Sequence, residues 1–200
     1  FNLHASLLPK YRGAAPINWA LINGESETGI TTFFLDKKID TGKIILQEQE
    51  VIQEEDDFGT LYGKLMLKGA SLILKTIVLI EKGSVDTLPQ NDENAGPLAP
   101  KIFKQDCEIN WAQDADGIVN FIRGMSPHPT AWCKFNNEIL KIFHVNKITT
   151  NHLDSGKFES DGKKYLHFGT QSSDLAITSL QIQGKKRMTV EEFLRGYRMH

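Results

Sequence analysis

The chain has 200 residues, 40% hydrophobic and 24% charged, with a formal net charge of −2, which leaves ample core for one large domain or two small ones. Its two cysteines, Cys107 and Cys133, have no CxxC spacing and read as reduced thiols of a cytoplasmic protein, against a disulfide scaffold or a cysteine zinc site. The longest apolar run, ASLILKTIVLI, is broken by Lys75 and is too short to cross a bilayer, which argues against a membrane protein.

In chain order, Phe1–Leu3 reads as the tail of a strand. APINWALING predicts a short helix, with Pro16 in its first turn and Gly24 at its end. TGITTFFLD and KIILQEQEVI predict two strands joined as a hairpin through KKIDTG. After Asp56 and Asp57, FGTLYGKLMLKGASLILKTIVLIEKG has helical spacing and stops at Gly83. It is apolar on more than one side, so it is expected to pack on a sheet. DTLPQNDENAGPLAPK, rich in Pro, Asn and Asp, predicts a linker at 89–100 between a domain of residues 1–88 and one of residues 101–200. In the second domain DADGIVNFIRG predicts a capped helix. Two hairpins follow, turning at Asn136-Asn137 and Asp161-Gly162, then the strand LAITSLQIQ. The terminal helix TVEEFLRGY has Thr189 as N-cap and Glu192 in the capping-box position. Short strands at regular spacing suggest a small antiparallel barrel.

A strand–helix–strand crossover at the start predicts two parallel strands, with their carboxyl ends on one edge of the sheet. Asn2 and His4 lie at the end of the first, and Asp36 and Asp40 follow the end of the second, where open α/β sheets bind ligands. An amide, an imidazole and a carboxylate together suit acyl transfer. The amide donates to an oxygen that becomes negative, the imidazole donates or relays a proton, and the carboxylate orients the ring. The nucleophile then belongs to the substrate, so Ser6 need not attack. On spacing alone, a structural His and an ordinary Asp-Thr-Gly turn compete with this reading. His128, His144, His152 and His167 show no metal-binding pattern, and Trp19, Trp111 and Trp132 read as core or interface aromatics.

NLHASLLPKYRGAAP followed by TGITTFFLDKKIDTGKIILQ resembles the folate-dependent formyltransferases. The resemblance implies that Asn2, His4 and Asp40 are catalytic, with Asp40 opening a D-x-G turn. It implies that Ser6, Leu7, Leu8, Pro9, Arg12 and Asp36 line the substrate and folate pocket, though Arg12 reads equally as a solvated loop charge. RGMSPHPTAWCKFNNEILKIF and LQIQGKKRMTVEEFLRG resemble the second domain of the methionyl-tRNA formyltransferase branch, an OB-like antiparallel barrel. The implied fold class is α/β, the C-terminal part of a Rossmann-like formyltransferase domain followed by that barrel. The implied reaction moves a formyl group from 10-formyltetrahydrofolate to the α-amine of methionine on initiator tRNA, for translation initiation, without a metal.

Lys185, Lys186 and Arg187 form a basic loop expected to meet tRNA. Residues 1–100 hold 9 Lys and Arg against 14 Asp and Glu, whereas residues 101–200 hold 14 against 11, a basic balance that agrees with a polyanion partner. The family's catalytic domain begins with strands and helices ahead of the N-x-H segment. A missing N-terminal half is therefore expected, and with it an inactive fragment. Aminosugar-nucleotide formyltransferases, a formyltetrahydrofolate hydrolase module and a non-catalytic RNA-binding fragment are the alternatives.

Overall fold

The first three strands are β1 Asn2–His4, and β2 Glu27–Phe33 and β3 Ile44–Val51, which carry the β-branched residues, in the order β1-β2-β3. The structure, a computed structural model, describes residues 1–91, 93, 95–150 and 152–197. It divides into two compact units, Phe1–Ile102 and Phe103–His200.

In the first unit both strand ladders are antiparallel, with Asn2 opposite Phe33 and His4 opposite Thr31. The expectation of parallel β1 and β2 is therefore corrected. The crossover rule assumes that the helix carries the chain back along the sheet. Here residues 5–15 have already folded back before the helix begins. The Leu8 N–H donates to Thr31 Oγ1 at 3.1 Å, and Gln47 Nε2 donates to the Leu8 carbonyl at 2.9 Å. Helix α1, Pro16–Ile22, then starts with Pro16 in its first turn and ends ahead of Gly24 at φ 69°, so its limits follow the sequence signals.

Helix α2, Phe58–Glu81, is closed at its start by reciprocal bonds between Asp57 and Thr60 and is followed by Gly83 at φ 65°. Its buried stripe is Leu61, Leu65, Gly69, Leu72 and Thr76, at the spacing that places residues on one helix face. Gly69 lets Leu3 of β1 approach, since a Cβ there would lie 2.8 Å from the Leu3 side chain. Thr76 shares a 2.8 Å hydrogen bond with Thr32 of β2. Several other apolar residues of α2 face outward: Tyr62, Met66, Leu67, Leu74, Ile77 and Val78 are exposed in these 200 residues.

The stretch read as a linker is strapped to the first unit. Leu88 exchanges backbone hydrogen bonds with Ile44 at 2.8 and 2.9 Å, the Tyr11 N–H donates to the Pro97 carbonyl, and the Ala99 N–H donates to the Arg12 carbonyl. The division between units falls after Ile102.

The second unit begins with a 3-10 turn, Lys104–Cys107, and helix α3, Ala115–Met125, capped by Asp114. Strands β4 Ala131–Phe135, β5 Glu138–Lys147, β6 Phe158–Ser160, β7 Leu166–Phe168 and β8 Leu175–Ile182 follow. They form one antiparallel sheet in the order β4-β5-β8-β7-β6, with β9 Met188–Thr189 added on β8. Asn136 and Asn137 both have positive φ at the first hairpin, the backbone a two-residue turn requires. Helix α4, Val190–Gly196, has the predicted Thr189–Glu192 capping box. Phe135 contacts the rings of Phe158, Phe168, Phe193 and Tyr197, and Trp111 stacks on Phe168 at 4.5 Å between centroids.

His152 ties β6 to the buried Asp174. Its Nε2 lies 3.1 Å from Glu159 Oε2 and its Nδ1 2.9 Å from Asp174 Oδ2. The hydrogen bond with Glu159, followed by the charges of Glu159 and Asp174, raises the imidazole above its ordinary 6.5. A folded value above the unfolded one stabilises the protonated state. The contribution is complete below the unfolded value and is lost as pH rises through the folded one. The denaturation midpoint is therefore expected to fall as pH rises above the ordinary imidazole value of about 6.5, and this slope should flatten in His152→Gln. Denaturant melts across that range check it; parallel profiles for the two proteins refute it.

Candidate active site

β1 places Asn2 and His4 on the same face, two residues apart, as alternation in a strand requires. His4 is buried, whereas Asn2 is exposed. His4 Nε2 lies 2.8 Å from the Tyr11 backbone carbonyl. A carbonyl can only accept, so Nε2 carries a hydrogen and Nδ1 is the atom at which the ring gains or loses a proton. Nδ1 faces Asp40 Oδ2 at 3.6 Å, with both side chains largely shielded from water. Asp40 Oδ2 also accepts from the Gly13 N–H at 2.9 Å.

The two loops that meet here have different local causes. Residues 34–43 reverse direction, with the Phe34 N–H bonded to the Lys43 carbonyl at 2.9 Å. Asp40 itself adopts φ 54°, a left-handed conformation that Asp tolerates better than most residues. Gly42 then passes so close to Phe34 that a Cβ would lie 1.5 Å from its carbonyl oxygen. The D-x-G pattern is thus a steric requirement of the turn that presents Asp40. On the other side Tyr11, at φ 60°, is anchored through its side chain. Its hydroxyl donates to Glu25 Oε1 at 2.7 Å and accepts from Asn23 Nδ2 at 3.1 Å. Burial, then the bond to Glu25, pushes this phenol up to about 12, so Tyr11 stays protonated and serves as an anchor.

The residues expected to line the pocket have varied surroundings. Ser6 Oγ is buried and donates to the Lys10 carbonyl at 2.6 Å, closing the loop. Leu7 covers Gly29, and Leu8 clusters with Phe33 and Ile44. Pro9 is half-buried. Arg12 turns toward Gln90, donating from Nε at 3.0 Å and from Nη2 at 2.8 Å. Asp36 is exposed and accepts from the Lys37 N–H at 2.7 Å, apart from the His4–Asp40 contact. Tyr11, Gly13 and Gln90 were not singled out from the sequence. Two of them act through backbone atoms, which any residue type supplies, and Gln90 lay in a stretch read as linker.

In the second unit, Lys185 and Lys186 are exposed on the turn after β8. Arg187 lies back on the sheet, its guanidinium 4.4 Å from the Phe143 ring centre and bonded to Ser179 Oγ at 2.8 Å. A cavity of about 620 Å³ beside this turn is lined by Trp132, His128, Lys104, Lys141, Gln181 and Gln183 among others, with no carboxylate among its described lining residues. Cys133 is buried and its thiol is pushed up to about 12 by burial. Among the described residues no cluster of His, Cys, Asp and Glu is arranged to hold a metal ion, and no helix is long and apolar enough to cross a membrane.

Comparison with known proteins agrees along the chain. Residues 1–77 match the formyl transferase family, and residues 101–198 match the formyl transferase C-terminal domain family. A methionyl-tRNA formyltransferase of Parabacteroides distasonis is 46% identical over 99% of the chain, and the chain spans 64% of that relative's length. An N-formyltransferase of Helicobacter canadensis, solved with folinic acid and dTDP-3-aminofucose, is 27% identical, with a TM-score of 0.68 over 88% of this chain and 64% of its own. HypX of Aquifex aeolicus, solved with tetrahydrofolic acid, shares the fold at 17% identity, with a TM-score of 0.72 over 96% of this chain and 34% of its own. With both units matched in order and close relatives that carry the same name, the chain belongs to the formyl transferase family.

Proposed function

We propose that the protein to which these residues belong transfers a formyl group from 10-formyltetrahydrofolate to the α-amine of methionine on initiator tRNA, in the cytoplasm. The observation that carries the reading is the pairing of buried His4 with half-buried Asp40, 3.6 Å apart, with His4 Nε2 committed to the Tyr11 carbonyl. It is supported by near-half identity to methionyl-tRNA formyltransferases over almost the whole chain.

In this mechanism the substrate amine adds to the formyl carbon, and the carbonyl oxygen becomes an oxyanion. Asn2 and the protonated His4 Nδ1 donate to that oxygen, and Asp40 holds the imidazolium. The C–N bond to the folate then breaks as the proton lost by the amine passes to the departing folate nitrogen. Solvent-excluded donors such as His4 stabilise developing charge more strongly than water does. Unit 1, which includes residues 89–100, is read as the C-terminal part of a Rossmann-like domain and unit 2 as an OB-like, tRNA-binding barrel. Ser6, Leu7, Leu8, Pro9, Arg12 and Asp36 shape the folate and substrate pocket.

The chain spans 64% of its relatives' length, and β1 is an edge strand beside an outward apolar face of α2. The test is therefore made on the full-length gene product, offered 10-formyltetrahydrofolate with either methionyl initiator tRNA or an aminosugar nucleotide. Formylation of the tRNA alone is the expected result. Preference for the sugar nucleotide favours a second reading, motivated by the Helicobacter canadensis structure.

The tRNA side makes its own prediction. Lys185 and Lys186 are exposed, and the neighbouring cavity pairs an aromatic ring with lysines, a combination suited to phosphates and bases. Replacing both lysines by Ala should reduce the salt slope of tRNA binding by about two, one for each phosphate contact. Arg187, anchored on Phe143, should contribute less to that slope. Superimposable log K against log salt plots for wild type and the double variant would assign the turn to solubility.

A further inference from the structure

Gln90 uses its whole side-chain amide on the two loops that build the pair. Its Nε2 donates to the carbonyls of Asp40 at 2.9 Å and Gly42 at 2.7 Å. Its Oε1 accepts from Arg12 Nε and Nη2. A primary amide has two donor hydrogens and two acceptor lone pairs, so every one is engaged. The surrounding segment does the same with its backbone. Leu88 pairs with Ile44 just past the Asp40 turn, Pro97 accepts from Tyr11, and Ala99 accepts from Ala15 and donates to Arg12. Tyr11 and Gly13 are the residues that hold His4 Nε2 and Asp40 Oδ2.

We propose that Gln90 is a positioning residue, and that its bridge from the Arg12 loop to the Asp40–Gly42 carbonyls sets the separation of His4 Nδ1 from the Asp40 carboxylate. This rests on the reading of His4 and Asp40 as the reacting pair. Asp40 sits at φ 54° directly after a run, residues 34–39, that is exposed throughout. A left-handed residue with a Cβ persists only where its surroundings over-determine it. The two carbonyl bonds from Gln90, on either side of Thr41, supply that determination. Arg12 orients the amide, because guanidinium hydrogens can meet only its oxygen and so force the nitrogen toward the carbonyls.

Two variants separate the arms of the bridge. Gln90→Ala removes both arms. Gln90→Glu keeps the acceptor for Arg12 but turns an acceptor toward two carbonyls. In the full-length gene product each is expected to lower kcat for formyl transfer roughly 10²-fold, the loss produced by about an ångström of misplacement, with KM for the folate unchanged. In an Asp40→Asn background Gln90→Ala should cost nothing further, since residues acting as a unit are not additive. An additive loss in that background, or a change in KM alone, overturns the proposal.

A second readout needs no activity. In the 200-residue chain, the 15N signal of His4 Nδ1 should move in Gln90→Ala in the same direction as in Asp40→Asn. It should stay in place in Gln49→Ala, an exposed glutamine on β3. If Gln90→Ala leaves that signal in place while Asp40→Asn moves it, the positioning role is wrong. A gene product that formylates neither acceptor overturns the proposed function instead, and the His4 signal then still decides the role of Gln90.

Discussion

His4→Ala in the full-length gene product is expected to lower kcat and kcat/KM for formyl transfer together, by about 10³-fold, with Asp40→Asn lowering them by about 10²-fold. The equal fall in both constants follows because the proposed donation from Nδ1 is made to the oxyanion of the transition state and not to the bound formyl group. Asp40 acts on the oxyanion through the ring, so its loss should matter less than loss of the ring. Once His4 is absent, Asp40→Asn should add little. Truncating His4 also leaves the buried Tyr11 carbonyl without its donor, at about 1–3 kcal/mol of stability. A melting curve recorded beside the kinetics separates folding loss from chemical loss. Single-turnover formylation with saturating folate is the measurement, and near-normal turnover in His4→Ala would falsify the catalytic role assigned to the ring.

The second large effect is steric. Gly42→Ala puts a methyl carbon 1.5 Å from the Phe34 carbonyl oxygen, and the atom it meets belongs to the backbone, which cannot rotate away as a side chain would. The turn must open. Overpacking of this kind costs about 1–3 kcal/mol and at times more, and opening this turn also moves Asp40 from His4. Loss of stability is therefore expected together with a fall in kcat comparable to that of Asp40→Asn. Gly63→Ala gives the opposite sign, because nothing lies within 4 Å of the added carbon and the site is interior to α2. It should stabilise by about 0.5–1 kcal/mol. Denaturant melts of the two variants beside wild type check both signs; a Gly42→Ala protein as stable as wild type would show that the turn can accept a side chain.

Local signals in the sequence determined most of the elements. Pro16 and Gly24 bracket α1, Asp57 and Gly83 bracket α2, Asn136-Asn137 turns β4 into β5, and Thr189 with Glu192 starts α4. Each depends on backbone preferences within a few residues, so no distant contact was needed to read it. His4 and Asp40 were marked by the resemblance of the N-x-H and D-x-G segments to the formyltransferases, since their spacing alone fits a structural His and an ordinary turn as well. What only the tertiary structure decided is how those pieces face one another. The antiparallel pairing of β1 with β2 depends on residues 5–15 folding back on Thr31 and Gln47. These long-range bonds leave no periodic trace. Residues 89–100 looked like a linker because Pro, Asn and Asp suit both mobile and strapped chain. It is the backbone groups of Pro97 and Ala99, and the side chain of Gln90, that hold them to the loops around His4 and Asp40. A main-chain carbonyl such as that of Tyr11 is the same in every residue, so the partner that fixes the His4 ring could be found only where the folded chain brings the two together.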